Sequence, residues 1–158
     1  MSKEDLVRKH PEFPHQVIEL TLPLAPSVNH LYMFKRGKRF MTKDGLNYMS
    51  KASQMAMKAV NLQNYIQEEP GVWLVCEIKY YFPDKRRRDC HNMHKVIMDA
   101  LEYTIFTDDR WVMVRDMYVG LDKENPRLEI RIYPYLNAED YEGRNKWLNT
   151  DGTVDKTQ

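Results

Sequence analysis

Val72-Trp-Leu-Val-Cys-Glu-Ile-Lys-Tyr-Tyr-Phe82 runs directly into Pro83-Asp-Lys-Arg-Arg-Arg-Asp-Cys-His-Asn-Met-His-Lys95. The first part, continuously apolar and then alternating, is the strongest strand signal in the chain. The second part carries four consecutive cations, Lys85, Arg86, Arg87 and Arg88, that end on Asp89. Such a run repels itself unless something anionic lies against it. From Asn92 to Tyr103, Met93, Val96, Ile97, Ala100 and Leu101 keep a helical period on one face, and Lys95 and Asp99 share the other. A second acidic pair, Asp108-Asp109, follows. Strand, basic loop, helix, acidic loop and more strands predict an α+β fold. We expect a single two-layer domain, with a mixed sheet of about four to five strands and two main helices.

Working toward the N-terminus, Val17-Ile-Glu-Leu-Thr-Leu22 alternates as a strand should, and Pro23 and Pro26 end it. Ser27 to Tyr32 is expected to be a loop or short turn. Tyr32 to Met41 reads as a hairpin with Arg36-Gly37 at its tip, and Lys35, Arg36, Lys38 and Arg39 make that tip basic. Thr42 or Asp44 can cap the next helix. Its apolar positions, Met49, Ala52, Met55, Ala56, Ala59 and Val60, continue to about Leu62, where methionine serves as adaptable packing. Toward the C-terminus, Val112 to Leu121 and Arg127 to Tyr133 read as paired strands around a turn at Asp122 to Pro126. Residues 1–15 are expected to be a flexible arm, 16–135 the folded domain, and 136–158 a polar tail, with Trp147 its one anchor candidate.

Length and composition narrow the class. The 158 residues suffice for one core, and 42% hydrophobic with 30% charged residues is globular composition. No apolar run reaches the ~20 residues of a membrane helix, and the N-terminus lacks the apolar stretch of a secretory signal. Cys76 and Cys90 are too few for a disulfide framework, which points to a reducing, cytoplasmic setting. The net charge of +1 conceals two basic clusters, and the distribution is what a nucleic-acid partner reads.

Asp89, with Asp108-Asp109, offers the hard oxygen ligands that Mg²⁺ prefers, and Mn²⁺ can take the same ligands. Such ions activate water and neutralise charge when a phosphodiester is hydrolysed. Lys95, one turn into the helix, can steady the attacking water or the developing charge. Each residue also has a structural use: Asp89 and Asn92 as caps, Asp108-Asp109 as a turn, Lys95 as the partner of Asp99. Cys90, His91 and His94 raise a zinc alternative, but a structural zinc site takes four ligands and the second pair is missing.

Arg86-Arg-Arg-Asp-Cys-His-Asn-Met-His-Lys95, then Met98-Asp-Ala-Leu101, then Thr107-Asp-Asp-Arg-Trp-Val112, resembles the core motif of the RusA-type Holliday-junction resolvases. That motif is Arg-Asp-x-Asp-Asn-x-x-Lys, Asp-Ala-Leu and an Asp-Asp pair. Leu22-Pro-Leu-Ala-Pro-Ser-Val-Asn-His-Leu-Tyr32 resembles the family's Leu-Pro-x-x-Pro-Ser-x-Asn segment, and the likeness covers about 17–133. The resemblance implies a RusA-like fold and a homodimeric, Mg²⁺-dependent endonuclease without a small-molecule cofactor. Such an enzyme nicks four-way DNA symmetrically. It assigns metal binding to Asp89 and Asp109, with Asp108 as a further candidate, catalysis to Lys95, and the motif asparagine to Asn92. Asn92 joins Lys35, Arg36, Lys38, Arg39 and Lys85 to Arg88 as the expected DNA contacts. His91 stands where the family has a second aspartate. As a metal ligand and catalytic residue it would favour Mn²⁺ over Mg²⁺, because imidazole nitrogen is the softer donor. A non-cleaving binder of branched DNA and a domain unrelated to nucleic acid are the competing classes.

Overall fold

The computed structural model describes residues 17–135. The expected N-terminal arm and polar tail, with Trp147, lie outside the described residues. Six strands and three helices follow in the order β1 (Ile18–Leu22), α1 (Val28–Leu31), β2 (Tyr32–Lys35), β3 (Lys38–Met41), α2 (Lys43–Gln63), β4 (Leu74–Phe82), α3 (His91–Leu101), β5 (Val112–Leu121) and β6 (Arg127–Pro134). A 3-10 turn, Asp109–Trp111, precedes β5.

Four strands form one mixed sheet in the order β1-β6-β4-β5, while β2 and β3 pair with each other. The expected mixed sheet with two main helices is what the chain builds. The expected pairing of β5 with β6 is not. β4 lies between them, parallel to β5 and antiparallel to β6. The reason is burial. β4 buries six of its nine residues, in a pattern suited to a central strand, whereas β5 is largely exposed and suited to an edge. The turn after β5 therefore crosses the end of β4, where the Asp122 amide donates to the Phe82 carbonyl.

Alternation sorts the sheet's two faces. Ile18, Leu20, Leu22, Cys76, Ile78, Tyr80, Phe82, Leu128, Ile130 and Ile132 enter the core with Ala52, Ala56 and Ala59 of α2 and Val96, Ile97 and Leu101 of α3. The alanine stripe lets α2 lie close to β1 and α3. Ser27 to Tyr32 holds one helical turn, α1, rather than only a loop, because the Ser27 hydroxyl accepts from the Asn29 amide. The Thr42 side chain likewise accepts from Gly45 and caps α2.

Candidate active site

The loop leaving β4 is tied back before α3 begins. Arg88 Nη1 lies 2.7 Å from Asp84 Oδ1, and its guanidinium sits over the Phe82 ring. Arg86 makes a longer contact with Asp84, at 3.4 Å. Arg88 is thus partly committed to holding the loop, while Lys85, Arg86 and Arg87 are exposed. Asp84 consequently keeps its carboxyl below the ordinary aspartate range, chiefly through the hydrogen bond from Arg88.

Asp89 does what a cap does. Its Oδ1 accepts from the His91 amide at 3.0 Å, and its carbonyl accepts from the Asn92 amide at 3.2 Å. The same oxygen lies 3.4 Å from His91 Nδ1, so the carboxylate and imidazole share one corner of the surface. One turn on, Lys95 Nζ sits between two carboxylates, 2.7 Å from Asp99 and 3.0 Å from Asp109. The hydrogen bonds that it donates to Asp99 and then Asp109 hold its pKa well above the ordinary lysine value. Lys95 is therefore a cation at neutral pH and cannot act as a base there.

Asp109 is brought to Lys95 by its 3-10 turn. Asp108 caps that turn by accepting from the Arg110 amide at 2.9 Å, and its second oxygen meets Arg110 Nε at 3.2 Å. Glu102 completes the group from the C-terminal end of α3. The ligand oxygens of Glu102, Asp108 and Asp109 lie within 4.8 Å of one another, and all three residues are partly buried. Among the described residues, these form the one such group of three or more. Asp108 and Asp109 are thus joined by a residue the sequence did not single out, while Asp89 and His91 stay outside the group. Nor does any such group contain Cys90, His91 and His94. Three hard oxygens suit a divalent cation of the Mg²⁺ or Mn²⁺ kind, and their mutual repulsion falls when one binds.

A second set of contacts escaped sequence reading. His94 Nε2 lies 2.8 Å from Asp116 Oδ1, which also accepts the buried Tyr80 hydroxyl at 2.8 Å. Asp116 sits where the β4–β5 register slips, since Ile78 faces Asp116 but Lys79 faces Tyr118. The extra residue of this bulge turns the strand beside α3, a common device near active sites. The rings of His91 and His94 meet edge to face at 5.4 Å. Burial and then Asp116 push the Tyr80 hydroxyl pKa far up, so it remains a donor.

The basic hairpin stands exposed. Lys35, Arg36, Lys38 and Arg39 all face solvent, and the Arg39 guanidinium lies 3.5 Å from the centre of the Tyr32 ring.

Comparison with known proteins now bears on this arrangement. The family model described as Endodeoxyribonuclease RusA matches residues 23–133, well over half of the chain. The chain belongs to the RusA endodeoxyribonuclease family. It is 31% identical over 82 residues to the crossover junction endodeoxyribonuclease RusA of Escherichia coli K12, covering 52% of this chain and 64% of that relative. The phage 82 protein of that name is 30% identical over 82 residues, with the same coverage. The phage HK97 protein is 26% identical over 91 residues, covering 58% of this chain and 72% of that relative. The matched region thus spans a little under two thirds of the length of the first two relatives. The family-model match, residues 23–133, contains every site residue discussed above.

Proposed function

We propose that this protein is a divalent-metal-dependent endodeoxyribonuclease that resolves four-way DNA junctions by symmetric paired nicks. The observation that carries this reading is the convergence of Lys95 and Asp109 in one group with Asp108 and Glu102, beside an exposed basic loop, in a RusA-family domain. Asp109, Asp108 and Glu102 would hold Mg²⁺, with Mn²⁺ able to substitute. Asp89 and His91 would contribute from the start of α3. When bound, the ion supplies an activated water and neutralises charge on the phosphate.

The chain's own groups do the rest. Lys95, held cationic, stays close to the carboxylates and stabilises negative charge as it builds on the phosphoryl oxygens. Lys85, Arg86 and Arg87, with the hairpin cations, bind the backbone and set register without reading sequence. Asp116 fixes the tautomer and tilt of His94, which in turn buttresses His91.

Symmetric nicking calls for two sites related by a two-fold axis, so the working form would be a homodimer. Edge strand β5 supports this, because Met117, Tyr118, Val119 and Leu121 leave large apolar surface exposed along it. The relatives come from Escherichia coli and an enterobacterial phage, which supports a bacterial cell as the setting of the proposed reaction.

The test is a synthetic four-way junction, labelled in turn on each strand, incubated with the protein and Mg²⁺ or Mn²⁺. Paired nicks in opposing strands support the proposal. Tight junction binding without nicks under either ion would favour the non-cleaving binder, for which His91 in the second aspartate position is the motive.

A further inference from the structure

We propose that Phe34 is a stacking wedge for nucleobases exposed at the branch of a DNA junction. The proposal rests on the junction-resolving reading above and adds the residue that senses branching. Phe34 stands on a hairpin whose two strands, among the described residues, pair only with each other. The root of that hairpin, Tyr32 and Met41, packs against the core. Phe34 is 78% exposed, well above the 48% of Phe40 on the facing strand.

The register places Phe34 opposite Arg39 and on the face of Tyr32. Arg39 leans over Tyr32, so the cation that could cover Phe34 is drawn away from it. At the tip, Arg36 and Gly37 both have positive φ, 53° and 71°, the backbone of a tight two-residue turn that holds the strands in register. A large apolar ring is thus held out in water, on a stiff hairpin that also carries Lys35, Arg36, Lys38 and Arg39.

Four cations on the hairpin that carries this ring suit a polyanion that also offers flat apolar faces. Nucleic acid with accessible bases is such a ligand: cations take the phosphates and the ring stacks on a base. Intact duplex hides its base faces, whereas the crossover of a four-way junction exposes them. Phe34 would therefore add selectivity for branched over linear DNA, independent of sequence.

The experiment uses the full chain without added metal and a four-way junction carrying 2-aminopurine at the crossover. Binding by the wild type should change the probe's fluorescence, and Phe34→Ala should abolish that change. The substitution should weaken junction affinity about 5- to 150-fold, the range of one lost base stack. Duplex affinity and the salt dependence of binding should hold, because no phosphate contact is lost. Phe34→Trp should restore the signal. An alanine variant that binds and perturbs the probe like the wild type would overturn the proposal. So would an equal loss for duplex and junction, or a fall in molar mass by light scattering that marks the ring as a contact between copies. A wild type that binds no junction at all would overturn the reading on which the proposal stands.

Discussion

Lys95 sits at the centre of the charge balance in the site, and its surroundings give a signed pH expectation. Its pKa is raised in the fold by Asp99 and Asp109. The stabilisation from these contacts is therefore fully present below the ordinary lysine value of about 10.4 and is lost as pH rises through the higher folded value. The difference in melting temperature between the wild type and Lys95→Gln should stay constant from pH 6 to 9 and shrink only in stronger base. A difference that already shrinks between pH 7 and 9 would mean that Lys95 titrates near neutrality. Glu102 gives a second test. If it shares an ion with Asp108 and Asp109, Glu102→Gln should weaken Mn²⁺ binding by about tenfold or more in calorimetry, since a charged ligand is removed. An unchanged affinity would exclude Glu102 from the site. These residues also mark the reach of sequence reading. Asp89, Lys95 and Asp109 stand out in the sequence because each belongs to a short run with an unusual neighbour: a cation series, a helical spacing, a paired acid. Glu102 and Asp116 are lone carboxylates without such context. Glu102 joins its partners through a loop, and Asp116 reaches His94 only because a bulge in β5 turns it there.

Among the elements, the start of α2 is the most tightly specified. Thr42 donates its amide to the Leu31 carbonyl and its hydroxyl to the His30 carbonyl, pinning α2 to α1. A Cβ at Gly45 would lie 2.9 Å from the Leu31 carbonyl oxygen and 2.7 Å from its Cδ1. Gly45→Ala should therefore lower stability by about 1–3 kcal/mol in denaturant titration, despite alanine's better helix propensity. A stabilised variant would show that this approach is looser than the geometry indicates. The basic loop before α3 carries a different expectation. If exposed Lys85 and Arg87 each meet a phosphate, replacing both by alanine should flatten the salt slope of log K by about 1.8 for any junction sequence. An unchanged slope would make the loop a solvated surface. The hairpin, α2, β4 and α3 were readable because each has a periodic stripe or a punctuating Gly, Pro or cap. The partners of β5 and β6 were not. A turn between two strands looks the same in sequence whether they pair with each other or flank a third, and β4, which separates them, lies more than thirty residues earlier than β6.

At the scale of the whole molecule, the described fold carries exposed cations, a carboxylate group and an edge strand, β5, with exposed apolar side chains. The most direct test of the central claim is a supercoiled plasmid with an extruded cruciform, treated with the wild type or with Asp109→Asn in Mg²⁺ or Mn²⁺. Paired nicks across the cruciform convert the plasmid to linear DNA, whereas single, uncoordinated nicks leave open circles. The wild type should give linear product, and Asp109→Asn should bind the cruciform as tightly while leaving the plasmid supercoiled. Linear product from Asp109→Asn at the wild-type rate would place the chemistry elsewhere and contradict the account.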